Sequence, residues 1–224
     1  MELPHPLSAK KAVLRTLAYA DVFDYPLAVS EIWQFLITKK KTSLSIVQKT
    51  LNLMVKQKKL ATDSQFYFLS DRGQTVSKRL KREKSSLQKL KIANRVANCL
   101  KLIPTIKMVA VTGALAMNNS TQSDDIDLLI VTSKGRLWLA RLLSVLLVEL
   151  VSQRRRPGDQ MVRNKICLNM FLDEVHLEVP QKEQNLFTAH EVCQLKPLWD
   201  RQEIYQKFIN QNQWFQKYLA NWKP

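Results

Sequence analysis

Two short apolar runs joined through a glycine turn and a polar loop constrain this chain more than anything else in it. The first run, residues 108–111, ends at Thr112-Gly113; the second opens with Asp125-Ile126-Asp127, twelve positions beyond the glycine, and continues to Val131. Each run has the length and residue types of a buried strand. Residues 114–117 have room for one helical turn, and 118–123 form a polar loop. Strand side chains alternate, so Asp125 and Asp127 share a face. With no basic residue near them in the sequence, two such carboxylates repel unless a cation stands between them. A hard divalent ion with oxygen ligands suits that place.

Gly113 supplies the other half of a site. Glycine lets the backbone approach a ligand closely. The helical turn after it offers unpaired N–H groups and the positive end of a dipole, which suit phosphate. Phosphate donors facing a metal-binding acid pair make a constellation for phosphoryl or nucleotidyl transfer. The plain structural alternative is two acids that open a strand beside a turn.

Residues 107–131 resemble the DNA polymerase beta superfamily of nucleotidyltransferases. Its motif is an apolar strand, Gly-Ser or Gly-Gly, a short intervening stretch, and Asp-x-Asp in a second apolar strand. Thr112-Gly113-Ala114 stands at the first part and Asp125-Ile126-Asp127 at the second. The resemblance implies transfer of a nucleoside monophosphate from a nucleoside triphosphate to a hydroxyl or phosphate acceptor, with pyrophosphate leaving. It implies that Asp125 and Asp127 hold one or two Mg2+ ions. Gly113 and the N–H groups of Ala114 and Leu115 would then hold the outer phosphates, and Lys134, Arg136 or the arginines at 154–156 would neutralise the triphosphate. Protein side chains, small molecules and RNA ends all serve as acceptors in this superfamily.

The sequence departs from that pattern twice. Ala114 brings no hydroxyl where the family has serine. The family also places a third carboxylate on a later strand, and the best later strand here, residues 165–172, carries Asn169 at its centre. Asp173 or Glu174 just past it, or Glu178 on a returning strand over 176–179, would replace that acid; Asp173 is taken as the base. A fold that keeps the motif but has lost catalysis is the competing reading.

A chain of 224 residues favours one or two domains. Its 46% hydrophobic content builds a core, and its formal charge of +16 suits a polyanionic partner, nucleic acid or an anionic membrane surface, when it is more than a solubilising coat. Cys99, Cys167 and Cys193 are too scattered for a metal knuckle or a disulfide framework, which fits a reducing cytoplasm. No secretion-signal core opens the chain. The apolar run 137–151 is broken by Arg141 and Glu149 and falls short of the ~20 residues a membrane span needs.

Residues 1–70 read as helix, helix, turn, helix and two short extended runs around Asp63-Ser64. Ser8 is a candidate cap for the first helix, and Ser43 or Ser45 for the third. That order resembles a winged helix-turn-helix, which implies that the third helix, residues 46–56, reaches nucleic acid through Gln48, Lys49, Asn52, Lys56 and Lys58. Residues 71–103 read as a basic connecting helix, able to track a nucleic-acid backbone or to stand as a solvated face. Residues 104–224 read as a nucleotidyltransferase-like domain ordered strand, turn-helix, strand, helix, basic loop, strand, strand, followed by a helical tail. The aromatic residues of that tail point to core or to a homodimer interface. The expectation is thus an α+β chain, with a small mixed sheet and packed helices behind an N-terminal winged-helix domain. A Mg2+-dependent nucleotidyltransferase is the first reading, and a DNA-binding regulator with a degenerate transferase-like domain is the second.

Overall fold

The structure is a computed structural model that describes the backbone of residues 6–224 and the side chains of 9–224. Ser8, the expected cap, stands inside the first helix, which already includes Pro6, so it does not cap it; its side chain lies outside the described residues. The chain divides into two compact units. One takes the described residues of Met1–Leu80 with Asn185–His190 and Trp214–Pro224; the other takes Lys81–Gln184 and Glu191–Gln213.

In the first unit, helix α1 (Pro6–Asp21) buries Ala9, Val13, Leu17 and Ala20, one face at helical spacing. Leu14 and Val22 are exposed. Helix α2 (Val29–Gln34) is shorter than the apolar pattern suggested, and its Glu31 accepts the Ala28 N–H at 2.7 Å. Helix α3 (Leu44–Lys56) is capped by Ser43, whose Oγ accepts the Ile46 N–H, and buries Val47, Thr50, Leu51 and Met54. Leu53, expected inside, is exposed. Strands β1 (Leu60–Thr62) and β2 (Tyr67–Leu69) pair antiparallel, and the turn between them is held by Asp63 Oδ1, which accepts the Gln65 and Phe66 N–H groups. Arg79 is buried under this unit, paired with both oxygens of Glu31 and lying 4.2 Å from the ring centres of Tyr25 and Phe66.

The expected unbroken helix over 201–222 is not present. Trp214, Phe215, Leu219 and Trp222 follow as a short 3-10 turn and its exit, and all four are buried in the first unit. Asn221 accepts the Thr42 N–H and donates to the Trp33 carbonyl, both at 2.8 Å. Trp214, Phe215 and Trp222 are core, whereas among the tail's other aromatic residues Phe187 is exposed and Trp199, Tyr205 and Tyr218 are half-buried.

The second unit is mixed α+β. Helix α4 (Gln74–Leu100) spans the division at Leu80 and presents Ala93, Val96, Ala97 and Leu100 to the sheet core. Leu80 and Leu87, expected in its apolar stripe, are exposed. Strand β3 (Ile106–Val111) leads through the single turn α5 (Gly113–Ala116) to β4 (Ile126–Thr132). Helix α6 (Leu137–Val151) buries Ala140, Ser144 and Val148 and leaves Trp138, Leu142, Leu146 and Leu150 exposed on its other side. Strand β5 (Ile166–Asp173) follows, then α7 (Leu186–Gln194), strand β6 (Lys196–Asp200) and α8 (Ile204–Gln211). The sheet order is β5-β4-β3-β6, with β4 parallel to β5 and the other pairs antiparallel.

Two expectations about this sheet fail. Residues 176–179 form no strand; the fourth strand is β6, from the stretch read as helical tail. β6 is an edge strand, where Pro197, a residue without an N–H, is tolerated. Among the described residues no helix is long and apolar enough to cross a membrane.

Candidate active site

Strand β4 is buried along its whole length except at Asp127. A polar residue in a strand covered on both faces needs a reason, since burying a carboxylate without partners is costly. Asp127 stands at the open end of β4 with Asp125 just before it. Cys167 on β5 lies in register with Asp127 across the parallel pair. One ligand atom from each of Asp125, Asp127 and Cys167 lies within 4.8 Å of the others. The turn at Gly113 closes the same corner. Gly113 has φ +59°, the Thr112 N–H donates to the Asp127 carbonyl at 3.2 Å, and a Cβ on Gly113 would come 3.8 Å from Asp127 Oδ2. Ala114 is exposed and Leu115 buried in the turn that follows.

The acid pair does have a basic neighbour, contrary to the premise drawn from the sequence. Arg155 Nη1 lies 2.6 Å from Asp125 Oδ2. Its place is set by backbone pairing: the Arg155 N–H donates to the Ile166 carbonyl and the Ile166 N–H to the Gln153 carbonyl, so the basic loop runs beside the start of β5. Arg154 and Arg156 turn to Glu149 instead. The charges behave accordingly. Burial, then the nearby Asp125, push the Asp127 carboxyl above its usual range. Burial, then its hydrogen bond to Asp127, push the Cys167 thiol up to about 11. Asp125 holds the Arg155 guanidinium more firmly protonated.

The loop that delivers the acids is fastened from α4. Lys89, 1% exposed, donates from Nζ to the carbonyls of Asp124 at 2.5 Å and Gln122 at 3.4 Å, and to Asn164 Oδ1 at 3.0 Å. Burial lowers its pKa, with Asp124 opposing. Ser86 Oγ accepts the Ser120 N–H, and the Asp124 carboxylate accepts from the Thr121 N–H, Thr121 Oγ1 and Ser120 Oγ. Asp124 is therefore a latch, facing away from the chemistry.

Other expected residues fall elsewhere. Asp173 ends β5, where its carboxylate accepts the Gly135 and Val175 N–H groups. Lys134 and Arg136 are exposed at the same far end, and the Lys134 N–H donates to Glu174. Asp127 and Thr132 are five residues apart on β4, roughly 16 Å at strand rise, so Asp173, Glu174, Lys134 and Arg136 do not join the acid pair. Glu178 lies on an irregular stretch and meets Gln184. Asn169 is exposed on β5 and is not the partner of Asp127; Cys167 is. The carboxylate that does feel Asp127 is Glu191 on α7, raised first by burial and then by Asp127.

Cys167, Lys89 and Glu191 are thus the residues sequence reasoning missed; Arg155 was among the three arginines expected at the triphosphate, without its pairing to Asp125. Lys89 had a signal: it sits on the helical row 86, 89, 93, 96 and 100, whose other members are buried. Cys167 and Glu191 depend on strand register and chain return, which no local pattern encodes.

No protein-family model matches this sequence, and no curated protein matches it at a significant level. A solved structure described as a mutant of the toxin-antitoxin MntA-HpeT is 15% identical over 55% of this chain and 88% of its own, with a TM-score of 0.28. Another, described as the toxin-antitoxin with AMP-PNP, is 15% identical over 60% of this chain and 89% of its own, with a TM-score of 0.26. Superpositions this loose decide neither fold nor activity.

Proposed function

We propose that the second unit is a nucleotidyltransferase that moves a nucleoside monophosphate from a nucleoside triphosphate to a hydroxyl or phosphate acceptor. The observation that carries this reading is the convergence of the Asp125 and Asp127 carboxylates with the Gly113 turn at one open corner of the sheet. Two carboxylates at this separation fit a divalent cation, and the glycine leaves open the side a Cβ would fill. Such a cation, when bound, offsets charge on the α-phosphate and on the attacking and leaving oxygens.

The chain's own residues do the rest. Asp125 and Asp127 would hold the cation, with Arg155 paired to Asp125 at its edge. The N–H groups of Ala114 and Leu115 face the outer phosphates past Gly113. The acceptor oxygen bonds to the α-phosphorus as the bond to the β-phosphate oxygen breaks, and pyrophosphate leaves. Glu191, its carboxyl raised first by burial and then by Asp127, takes the acceptor proton in place of Asp173. The test is transfer of labelled nucleoside triphosphate to cellular RNA or protein by wild type and by the Asp125→Asn/Asp127→Asn variant. Metal-dependent label lost in the variant supports the reading, and no transfer by folded wild type removes it.

A second reading is that the first unit is a winged-helix module that binds duplex DNA, with the transferase-like unit serving regulation. The observation in its favour is the outer face of α3, where Lys49, Asn52 and Lys56 are all exposed at helical spacing. Asp125→Asn would leave such binding intact or tighten it, because it removes a negative charge.

A further inference from the structure

Mg2+ is the ion that the sequence resemblance implies, and the donor set at the open end of β4 does not suit it. Mg2+ asks for oxygen ligands in near-ideal octahedral geometry, whereas thiolate sulfur selects softer ions. The third donor here is Cys167. Register fixes it: β4 and β5 are parallel, and Cys167 stands opposite Asp127 with its ligand atom inside the 4.8 Å cluster. No other carboxylate on β5 reaches that corner, since Asp173 is held by N–H groups at the opposite end.

We infer that Asp125, Asp127 and Cys167 form a mixed oxygen–sulfur site that takes a borderline divalent cation of the Co2+ or Zn2+ kind in preference to Mg2+. This rests on reading the acid pair as a cation site and not on the transfer reaction. Charge balance agrees with it. Arg155 contributes one positive charge at Asp125. Two carboxylates and a thiolate then leave a deficit of two, which one divalent ion fills. The Cys167 thiol donates to Asp127. On binding, the sulfur–metal bond forms as that proton leaves to solvent, because the thiolate is the ligand form. The carboxylates come from β4 and the residue before it, the sulfur from β5, and the Gly113 side stays open for further oxygen ligands from water or phosphate.

The experiment is a Co2+ titration of the full chain followed by absorption, with Cys167→Ser, Cys167→Asp and Asp125→Asn/Asp127→Asn compared. A sulfur-to-cobalt charge-transfer band in the near ultraviolet should rise to one equivalent in wild type. It should be absent in Cys167→Ser and in the double Asn variant, with circular dichroism confirming that both are folded. Zn2+ should abolish the band, and a tenfold excess of Mg2+ should leave it. Cys167→Asp should weaken Co2+ binding relative to Mg2+ by roughly tenfold or more, as a ligand exchange from sulfur to oxygen demands. A band that survives in Cys167→Ser, Co2+ bound without any band, or Mg2+ displacing Co2+ at equal concentration would each overturn the inference. Mg2+-supported label transfer without a cobalt band would overturn it while leaving the transferase reading in place. No Co2+ binding by folded wild type overturns the inference and the cation site together.

Discussion

The Lys89 ammonium donates to the Asp124 carbonyl at 2.5 Å, and through that contact a helix remote in sequence fixes the strand that carries the acids. The same ammonium reaches the Gln122 carbonyl and Asn164 Oδ1, so three acceptors meet at one buried cation. Lys89→Met keeps the stem but removes the donor to the Gln122 carbonyl and Asn164 Oδ1, while the Asp124 carbonyl keeps the Asn164 N–H at 3.1 Å. Each buried unsatisfied group costs about 1–3 kcal/mol, so a loss on the order of 3 kcal/mol is expected in urea unfolding. A variant as stable as wild type would show that the loop holds without its fastening.

Arg155 competes with any cation for Asp125. Arg155→Gln should tighten Mn2+ binding by roughly threefold to tenfold, a modest gain because the arginine is half-exposed and screened. Counting free Mn2+ by electron paramagnetic resonance reads this directly. Weaker binding in the variant would mean that Arg155 holds Asp125 in its ligand geometry instead of shielding it.

Glu191 is the carboxylate within the field of Asp127. As proton acceptor it should matter to turnover more than to binding. Glu191→Gln is expected to lower kcat by roughly a hundredfold with KM for the triphosphate little changed. Unchanged kcat would return the proton to solvent.

His190 gives the first unit a pH dependence. It is 3% exposed, stacked on Tyr19 with ring centres 4.1 Å apart and facing Phe35 at 5.9 Å. Burial lowers its pKa from 6.5 to about 4. Between those values the unfolded chain binds more protons than the folded one. Stability is therefore complete above about pH 6.5 and declines as pH falls toward 4, by on the order of 3 kcal/mol. His190→Phe should flatten that decline while keeping the ring stack, as measured by urea midpoints across the range.

If α3 meets duplex DNA, Lys49→Glu/Lys56→Glu should abolish binding, and single substitutions should reduce the slope of log K against log salt by about one per lost contact. Fluorescence anisotropy at several salt concentrations checks it. Wild type that fails to bind any duplex at low salt would leave α3 as a solvated face.

Local chemistry made half of the site legible. The glycine turn, the apolar runs and the shared face of Asp125 and Asp127 are all written within twenty residues, where strand alternation and turn preference act. What was illegible depends on pairing between distant segments. Cys167 becomes the neighbour of Asp127 only through the register of β4 and β5, whereas the sequence pointed past the strand to Asp173, Glu174 or Glu178. Arg155 looked like one of three solvated arginines until backbone pairing with Ile166 singled it out. Lys89 belongs to the basic helix by charge, although every other member of its row is buried. Strand β6 hid behind Pro197, since an edge position removes the usual objection to proline.

The three aspartates at 124, 125 and 127 stand in one short word of sequence, yet each answers to a different master: a loop, an arginine and a thiol. Neutralising them one at a time should therefore give three unrelated injuries. Loss of the first loosens a hinge of backbone, loss of the second releases a guanidinium, and loss of the third empties the corner where a cation would rest. A scan that scored only activity would record the same zero three times and miss that the motif is a division of labour.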